Sequence, residues 1–396
     1  MERHAIVLSP WLPTRSRPFA GTFVVDFAAA IGPIYPNGLT FVRLDDTFRT
    51  KPSWPVRRAA RGVVKQRAKK MTVGFGSAID VPLPVPAGSG WYERMVEARR
   101  LGVALRPRVI RARVGNLWPD LHGHLGIIAG PVALNVPRGC DLFLYEHSSF
   151  AIDLLEADER AAALYCKAIA RSAAVLPVNA QMTRRLQTLF PEHASKVREH
   201  PNSVDASRFE SRPRVGPLER LIYIGNLKPE KGTRRMLEAL EGIVAEHPGV
   251  SLTLVGDGPD RNWLANHPLR AHLDIRPPVP AGQVPGLLLE HDLLLHLSEA
   301  ETFGLTAVEA ILSGMPVLVS ATDGSGTVVL PIEAMAGTIV KQPAEPRSVR
   351  AAYKEIRLNP PRLDPVAARR HIVERYDRVA VGTKIGALAS EMRRSR

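Results

Sequence analysis

Two glutamates in one short segment have the residue type and spacing for binding chemistry. Glu301 and Glu309 lie in SEAETFGLTAVEAILSGMPVLVS, residues 298–320, with seven residues between them. The apolar run LLLHL before this segment predicts a buried strand, and the apolar residues after the Phe-Gly pair follow helical spacing. We therefore expect Glu301 in a strand-to-helix loop and Glu309 on the early part of the helix. The free N–H groups and the dipole of that helix would favour an anion at the loop.

This arrangement suits a nucleotide sugar. One carboxylate would bind sugar hydroxyls, the helix start would bind phosphate, and the second carboxylate would bind the ribose. The same pattern also arises without a ligand, if Glu309 is a first-turn acid favoured by the dipole and Glu301 is a solvated loop residue.

Two further segments consist of an apolar strand, a Gly-containing turn and a helix: LIYIGNLKPEKGTRRMLEAL at 221–240 and SLTLVGDGPDRNWL at 251–264. This succession predicts parallel βα units, whose ligand crevice lies beyond the carboxyl ends of the strands. Lys231, Gly256 and Glu301 are therefore expected to face one crevice. The GDGP turn is a weak signal by itself, because Arg261 occupies the place of the third glycine in the dinucleotide fingerprint.

These segments together resemble a known family. The motifs are YIGNLKPEKG, LVGDGP, SEAETFGLTAVEAILSGMPV and HPNSVDASRF (200–209), with weaker likeness in VLPVNAQMTRRL (175–186), FLYEHSSF (143–150) and PFAGTFVVDFA (18–28). They resemble the retaining glycosyltransferases of the GT-B fold, family four, also called glycosyl transferases group 1. The resemblance implies an α/β chain of two Rossmann-like, doubly wound domains that face a central cleft.

The resemblance also implies roles for residues of the second half. Glu301 would contact the donor sugar near the reacting centre, and Glu309 would bind the ribose hydroxyls. Phe303 and Gly304 would offer backbone N–H groups to the sugar or phosphate. Lys231 would hold the diphosphate leaving group.

In the first half, the resemblance assigns a histidine and a glycine to the donor site. His147 looks like the histidine that lines the family's sugar site, although a histidine in such a place is more often a loop or core residue. Gly21 looks like the glycine that lets backbone approach the phosphates, and it is also compatible with a plain turn. The pair His122 and His124 is expected to be structural or on the surface rather than a metal site.

Two positions depart from the family's pattern. The family usually has Arg beside Lys231, in the pattern Gly-Arg-Leu, where this chain has Asn226. A neutral amide cannot grip a diphosphate as a guanidinium does. Lys228 and Arg234 are the nearby candidates for the missing positive charge. After the PVLVS strand the family commonly has two glycines and soon a Glu, and this chain has Thr327 about where that Glu would be.

The expected reaction is transfer of a hexose-type sugar from a nucleoside-diphosphate sugar to an acceptor hydroxyl with retention of anomeric configuration. Asn226 and Gly256 would belong to the donor-binding loops. The nucleoside-diphosphate sugar would be a co-substrate, and the resemblance implies that no metal or other cofactor is needed. Alternatives are an epimerase or phosphorylase on the same fold, or a catalytically weak subunit that binds a sugar nucleotide or glycan.

Composition fits a two-domain intracellular enzyme. The chain has 396 residues, 45% of them hydrophobic, which is enough for two cores. Its two cysteines, Cys140 and Cys166, form no CxxC motif and favour a reducing compartment. The start of the chain lacks the apolar core of a signal peptide. We expect a cytoplasmic protein that does not bind nucleic acid.

The positive charge is concentrated in the first half. The net charge is +12 over residues 1–200 and +2 over residues 201–396. Residues 48–70 hold nine basic and no acidic residues with interleaved apolar ones. The proposed membrane and acceptor patch consists of Arg57, Arg58, Arg61, Lys65, Arg67, Lys69 and Lys70. Such a segment can bind an anionic bilayer, be a solvated face, or contact nucleic acid.

The membrane interpretation predicts a lipid-linked acceptor. The enzyme would then act on the inner face of the cytoplasmic membrane, in the biosynthesis of a cell-surface polysaccharide such as lipopolysaccharide, or of a glycolipid.

The predicted organisation has a boundary in the Pro- and Ser-rich stretch PNSVDASRFESRPRVGP. Residues 1–206 would form an acceptor-binding domain, and residues 207–376 a nucleotide-sugar-binding domain. In the family the last helix crosses back to the first domain, so residues 377–396 are expected to brace that domain.

Overall fold

The computed structural model describes residues 3–12, 21–45, 49–50, 70–73, 76–83, 85–86, 88–212 and 215–394. These residues form two compact units. The first unit contains the described residues up to Pro201 and those from Val381 onward, and the second runs from Asn202 to Ala380.

The strands of the first unit are β1 (Ala5–Ser9), β2 (Leu39–Asp45), β3 (Arg49–Thr50), β4 (Lys70–Val73), β5 (Gly76–Pro82), β6 (Val85–Pro86), β7 (Asp120–His124), β8 (Leu142–Glu146) and β9 (Ala174–Pro177). Its helices are α1 (Thr22–Ile31), α2 (Trp91–Arg111), α3 (Gly126–Ala133), α4 (Ser149–Ala157), α5 (Glu159–Arg171) and α6 (Ala180–Leu189).

The strands of the second unit are β10 (Arg220–Ile224), β11 (Ser251–Val255), β12 (Leu273–Arg276), β13 (Leu293–His296), β14 (Val317–Ser320) and β15 (Gly337–Val340). Its helices are α7 (Thr233–Glu246), α8 (Arg261–Ala265), α9 (Val284–Leu289), α10 (Leu305–Leu312), α11 (Ser325–Val329), α12 (Glu333–Ala336), α13 (Pro346–Leu358) and α14 (Pro365–Tyr376). The last described helix is α15 (Arg378–Arg394).

Short 3₁₀ helices occur at Gly32–Ile34, Pro191–Lys196, Ala206–Arg208, Pro229–Lys231, Pro268–His272, Ala281–Gln283, Leu330–Ile332 and Pro360–Arg362.

The first unit contains a doubly wound sheet in the order β4-β5-β2-β1-β7-β8-β9. Neighbouring strands are parallel except β4, which is antiparallel to β5. Strands β3 and β6 form a separate parallel pair. The direction of winding reverses between β1 and β7. The switch point of this sheet is therefore at the carboxyl ends of β1 and β7, where such sheets bind ligands.

The second unit contains a parallel sheet in the order β12-β11-β10-β13-β14-β15. Its central strands contain short apolar runs such as LIYI and LLLH that are largely buried, as parallel strands covered on both faces require, whereas the edge strand β12 is partly exposed. Its winding reverses between β10 and β13, and its switch point lies there. The predicted α/β class with two doubly wound sheets is confirmed.

Helix α15 completes the core of the first unit. Ile385 and Ala389 are buried in the same cluster as Val7, Phe27 and Phe143. A Cβ on Gly382 of this helix would lie 2.1 Å from the carbonyl oxygen of Ala30 in α1. The Arg393 guanidinium also forms an ion pair with the buried Asp120 carboxylate at the start of β7. The residues that follow the second unit in sequence thus belong to the core of the first.

Most of the basic segment lies outside the described residues. Arg57, Arg58, Arg61, Lys65, Arg67 and Lys69 fall there, and Lys70 is the first residue of β4. In the part of the chain that is described, no helix combines the length and apolar character needed to cross a bilayer.

Candidate functional site

The switch point of the second sheet brings two charged loops together. Strands β10 and β13 are parallel neighbours, with Leu221 paired to Leu293, so their carboxyl ends meet at one sheet edge. The loop after β10 carries Lys231, and the loop after β13 carries Glu301. Residues 70 positions apart in sequence therefore lie side by side.

Lys231 and Glu301 form an ion pair. The Lys231 Nζ atom lies 2.9 Å from Glu301 Oε2 and also donates a hydrogen bond of 3.2 Å to the carbonyl oxygen of Ala300. The side chains are 23% and 20% exposed, so the pair is half-buried but reachable. The Thr302 N–H donates to the other carboxylate oxygen of Glu301 at 3.2 Å.

His296 is a third titratable group at this site. Its Nε2 atom lies 3.8 Å from Glu301 Oε2, and its ring stacks on Tyr223 at 5.8 Å. Burial lowers the pKa of His296, and the nearby Lys231 ammonium lowers it further although Glu301 opposes both effects. The Nδ1 atom of His296 has no hydrogen-bond partner among the described residues.

The carboxyl group of Glu301 is held in its ionised form. Burial alone would raise the pKa of Glu301, but the Lys231 ammonium, with His296 and two hydrogen bonds, lowers it below the ordinary value. Burial and the nearby Glu301 carboxylate also raise the pKa of the Tyr223 phenol, which stays neutral and donates to the Asn226 carbonyl oxygen at 2.9 Å. At neutral pH the site therefore presents one carboxylate and one ammonium.

Sequence reasoning missed His296 and Tyr223. Each lies in an apolar strand segment, LLLHL or LIYIG, that predicts only a buried strand. The available signal was a polar ring near the carboxyl end of a parallel strand, where site residues accumulate.

Gly304 connects Glu301 to helix α10. It has φ 82°, and a Cβ at this position would lie 2.7 Å from Ser325 Cα. Phe303 is buried, with its ring 5.4 Å from that of Tyr376 and perpendicular to it. The backbone therefore turns sharply into the helix start, where free N–H groups are available.

Glu309 is the fifth residue of α10 and is half-buried. The alternative interpretation of Glu309 as a first-turn acid is wrong, because the helix begins at Leu305. Helix α10 has only eight residues, so its dipole is a small part of the electrostatics of the site. The assignment of Glu309 to a ribose stays a prediction.

Gly256 lets two loops of the second unit touch. A Cβ there would lie 1.8 Å from the carbonyl oxygen of Gly225, so no side chain fits. Arg261 supports the same contact, because its Nη1 atom donates to the Gly256 carbonyl oxygen at 3.0 Å. Arg261, which breaks the glycine fingerprint, thus holds the GDGP turn in place.

The departures from the family's pattern are exposed. The Asn226 side chain is exposed at the loop that carries Lys231, and Thr327 is exposed on α11. Arg234 is directed elsewhere: its Nη2 atom lies 3.6 Å from Asp260 Oδ1, and its guanidinium lies 5.4 Å from the Trp263 ring centre. Lys228 is half-buried in the same loop as Asn226.

In the first unit, the half-buried His147 lies at the end of a stack of rings. His147 Nε2 lies 2.8 Å from His124 Nδ1, and the two rings stack 5.1 Å apart. The ring of His147 also lies 4.5 Å from that of Phe23 and 6.4 Å from that of Tyr145. Burial lowers the pKa of His124 and the nearby His147 lowers it further, so His124 is neutral at pH 7.

His122 is structural. Its ring nitrogens lie 2.9 Å from the Tyr35 hydroxyl and 3.0 Å from the Tyr145 hydroxyl, and Tyr35 donates to Asp120 at 2.8 Å. Burial, with the nearby Arg393, lowers the pKa of His122 to about 3. Of the two expectations for His122 and His124, the structural one is confirmed and the surface one is wrong, because both side chains are buried.

Gly21 precedes helix α1 near the switch point of the first sheet. It has φ 69°, and a Cβ there would lie 2.4 Å from the Trp11 carbonyl oxygen. The turn needs glycine for this backbone contact. The predicted contact between Gly21 and a phosphate remains a prediction.

One group of possible metal ligands lies in the described part of the first unit. Cys166, Glu192 and His193 have ligand atoms within 4.8 Å of one another, and Cys166 Sγ donates to Glu192 at 3.2 Å. Sequence spacing did not indicate this group. No such group of His, Cys, Asp or Glu side chains includes Glu301 among the described residues.

Comparison with known proteins gives a family match over the second unit. The family described as "Glycosyl transferases group 1" matches residues 206–371. A glycogen synthase of Mycobacterium tuberculosis H37Rv is 30% identical over 229 residues, which is 54% of this chain and 54% of that protein. The Saccharomyces cerevisiae phosphatidylinositol N-acetylglucosaminyltransferase GPI3 subunit (strain S288c) is 26% identical over 136 residues, 31% of this chain and 30% of that protein. The chain thus spans about half the length of the first relative and less of the second.

Two solved structures are similar over nearly the whole chain. Sucrose-phosphate synthase from Thermosynechococcus elongatus has a TM-score of 0.72 at 17% identity, covering 100% of both chains. Anabaena Alr3699/HepE in complex with UDP-glucose has a TM-score of 0.66 at 15% identity, covering 98% of this chain and 99% of that one. At these identities the structures establish a shared fold.

Proposed function

Because the chain belongs to the glycosyl transferases group 1 family, whose fold is GT-B, we propose that it transfers a hexose-type sugar from a nucleoside-diphosphate sugar to an acceptor hydroxyl with retention of configuration. The observation that carries this proposal is the Lys231–Glu301 ion pair at the switch point of the second sheet. A cation that can hold a diphosphate and a carboxylate that can orient a sugar meet there.

Different residues of the second unit stabilise the negative and the positive charge that develop in the reaction. As the bond to the anomeric carbon breaks, negative charge grows on the departing diphosphate and positive charge on the sugar. Lys231 and the N–H groups of Phe303 and Gly304 at the start of α10 stabilise the diphosphate. Glu301, kept ionised by Lys231, orients the sugar hydroxyls, and Glu309 binds the ribose.

Binding of the donor changes the partner of Lys231. In this structure the Lys231 ammonium is neutralised by Glu301 at 2.9 Å. A diphosphate that approaches the loop competes for the same ammonium, and the carboxylate is then free to accept hydrogen bonds from a sugar. The ion pair therefore keeps both groups charged and positioned before the donor arrives.

We assign the other residues by the resemblance and their placement. Asn226 and Gly256 lie on the donor-binding loops of the second unit. In the first unit, which would bind the acceptor, His147 lines the sugar site and Gly21 lets backbone approach the phosphates.

The donor and the acceptor belong to the proposal as well. The Alr3699/HepE structure contains UDP-glucose, which makes UDP-glucose the first donor to test. The yeast relative's name specifies a phosphatidylinositol acceptor, and the first half of this chain is basic, which together favour a lipid-linked acceptor. The enzyme would then act on the inner face of the cytoplasmic membrane in polysaccharide or glycolipid synthesis, with residues 48–70 binding anionic lipid.

Donor binding and transfer are tested separately. UDP-, GDP- and ADP-sugars are first compared by thermal shift, where a ligand at 100 times its Kd adds about 2.7 kcal/mol to the free energy of unfolding. The sugar that stabilises the protein is then incubated with lipid-linked and soluble acceptors, and the anomeric configuration of the product is read by NMR. Absence of stabilisation by every sugar nucleotide would refute the proposed donor site.

A second candidate is a catalytically weak subunit that binds the donor without fast transfer. The exposed, neutral Asn226 favours it, since Arg234 is engaged by Asp260 and Trp263 instead. We expect Asn226→Arg to leave the transfer rate unchanged or to raise it. A chain that binds UDP-glucose but transfers no sugar before or after this substitution would favour the subunit.

A further inference from the structure

A cavity of about 480 Å³ lies within the first unit, between one face of the sheet and the second half of helix α2. Its volume falls in the range of about 300–1,000 Å³ that small-molecule sites occupy. Ile6 and Leu8 of β1 line it from the same face of the sheet, because side chains alternate along a strand. Val42, paired with Leu8, extends this apolar wall onto β2. The cavity is therefore a feature of the sheet face and not of the switch point.

Helix α2 provides the opposite wall. Leu105 and Val109, one turn apart, are buried and line the cavity. The polar groups at the sheet side satisfy each other, since the His4 ring lies 2.9 Å from the Asn37 carbonyl oxygen and 2.8 Å from the Thr40 hydroxyl. The interior thus offers apolar surface rather than open hydrogen-bonding sites.

Three arginines line the same cavity where α2 ends. Arg111 and Arg113 are exposed and Arg108 is half-buried. Burial, with the nearby Arg111, lowers the pKa of the Arg108 guanidinium, as expected where cations crowd. The sequence from residue 99 to residue 113 has six arginines and no acidic residue. The helix dipole favours cations in the last turn, but it does not account for an apolar cavity beside them.

We propose that this cavity binds the alkyl chain of an anionic amphiphile, whose phosphate or carboxylate headgroup is held by Arg108, Arg111 and Arg113. Guanidinium groups bind both anions through paired hydrogen bonds. Apolar walls that end at a cationic rim match a molecule with one apolar chain and one anionic end. The proposal does not depend on glycosyl transfer, and its test measures binding without turnover.

The first experiment is isothermal titration of the full chain with dodecyl phosphate and dodecanoate, below their critical micelle concentrations. Inorganic phosphate and dodecyl maltoside serve as the headgroup-only and uncharged-chain controls. We expect an anionic amphiphile to bind more tightly than either control, and its Kd to fall roughly fourfold per methylene from octyl to dodecyl. Tighter binding of dodecyl phosphate identifies a lipid phosphate, and tighter binding of dodecanoate a fatty acid. Equal binding of inorganic phosphate or of the maltoside would overturn the proposal.

The second experiment distinguishes binding by Arg108, Arg111 and Arg113 from non-specific attraction to positive charge. Changing the lining arginines together, as Arg108→Gln, Arg111→Gln and Arg113→Gln, should weaken binding by about tenfold or more. The matched control removes the same number of charges from helix α2 at positions that do not line the cavity, as Arg99→Gln, Arg100→Gln and Arg106→Gln. An equal loss in both variants would show non-specific attraction and overturn the site.

The third experiment fills the cavity. Ala112 lines it at the end of α2, and Ala112→Trp should abolish the dependence of Kd on chain length while keeping the arginines. Thermal melting monitors folding, and if this variant unfolds, the chain-length series on the wild type decides the question. A folded Ala112→Trp variant that keeps the full chain-length dependence would place the chain elsewhere and refute the proposal.

Discussion

Replacing Lys231 by Met tests the reasoning about the ion pair. The substitution removes the ammonium 2.9 Å from Glu301 and keeps a long apolar side chain. Exposed pairs contribute about 0–1 kcal/mol and breaking a buried pair costs about 3–5 kcal/mol, so this half-buried pair should cost about 1–3 kcal/mol at pH 7. The matched control is Lys228→Met, which removes one charge from the same loop; no ion pair joins Lys228 to a carboxylate of the described residues.

The loss of stability caused by Lys231→Met should depend on pH in a defined direction. The pKa of Glu301 is lowered in the wild type, so its contribution is present above the unfolded pKa of about 4.3 and is lost as the pH falls through the lower folded value. Without Lys231, burial still acts to raise the pKa of Glu301, and only His296 and the Thr302 N–H remain to lower it. The difference in free energy of unfolding between wild type and Lys231→Met should therefore be largest near neutral pH and shrink in acid. Urea unfolding at several pH values measures it.

The same substitution should weaken nucleotide binding. A hydrogen bond to a charged group contributes about 1.5–3 kcal/mol, so the Kd for UDP should rise roughly 10- to 150-fold in Lys231→Met. Titration calorimetry with UDP measures this change, and Lys228→Met should stay near the wild type. If Lys231→Met binds UDP as tightly as the wild type, or if Lys228→Met loses as much affinity, another cation holds the diphosphate and our interpretation of the loop is wrong.

Other predictions concern the carboxylates, a turn and a buried acid. Glu301→Gln should mainly lower kcat and Glu309→Gln mainly raise the KM for the donor; steady-state kinetics that match the wild type in both would contradict the site. Gly304→Ala should lower the free energy of unfolding by about 1–3 kcal/mol, because φ is 82° and the new Cβ would meet Ser325. The control Gly282→Ala, whose Cβ would have nothing within 4 Å, should lower it by less than about 1 kcal/mol. Equal melting temperatures of the two variants would refute this. Burial raises the pKa of Glu146 in the folded protein to about 7, above its value in the unfolded chain. The proton on Glu146 therefore stabilises the folded state fully at a pH below the unfolded pKa, and this stabilisation is lost as the pH rises to 7. Glu146→Gln should thus gain stability over the wild type between pH 4.5 and 7, by up to about 1.4 kcal/mol per pH unit, and unfolding curves with parallel pH slopes would contradict it.

The succession of strands, turns and helices in the second unit could be predicted from the sequence. The side-chain contacts could be predicted only in part. LLLHL predicts a strand, and β13 (Leu293–His296) occupies it. The expectation that Lys231 and Glu301 share one crevice follows from the rule for parallel sheets, and their loops do meet. The sequence places His296 at the carboxyl end of this strand, but its contact with Glu301 could not be predicted, because the direction of a side chain there depends on which loops fold over it.

The first unit shows why the rest could not be predicted. His124 and His147 are 23 residues apart, and they meet because β7 and β8 pair with His124 opposite Tyr145. The hydrophobic pattern of a strand determines which face is buried, but parallel strands are joined by long crossovers, so no short turn indicates which residues of the two strands lie opposite each other. The cavity beside α2 is likewise lined by residues from six separate stretches of the chain. In the sequence, the arginines of residues 99–113 therefore indicate positive charge but not a cavity.

The position of α15 has a consequence for synthesis of the protein. A ribosome that adds about 5–20 residues per second needs roughly ten to forty seconds to make Asn202–Ala380. Throughout that interval the apolar surface that Ile385 and Ala389 will cover stays open, and Asp120 lacks the Arg393 guanidinium. The first unit to emerge from the ribosome is therefore the last to be completed, and until then its uncovered apolar surface is a site for aggregation or chaperone binding.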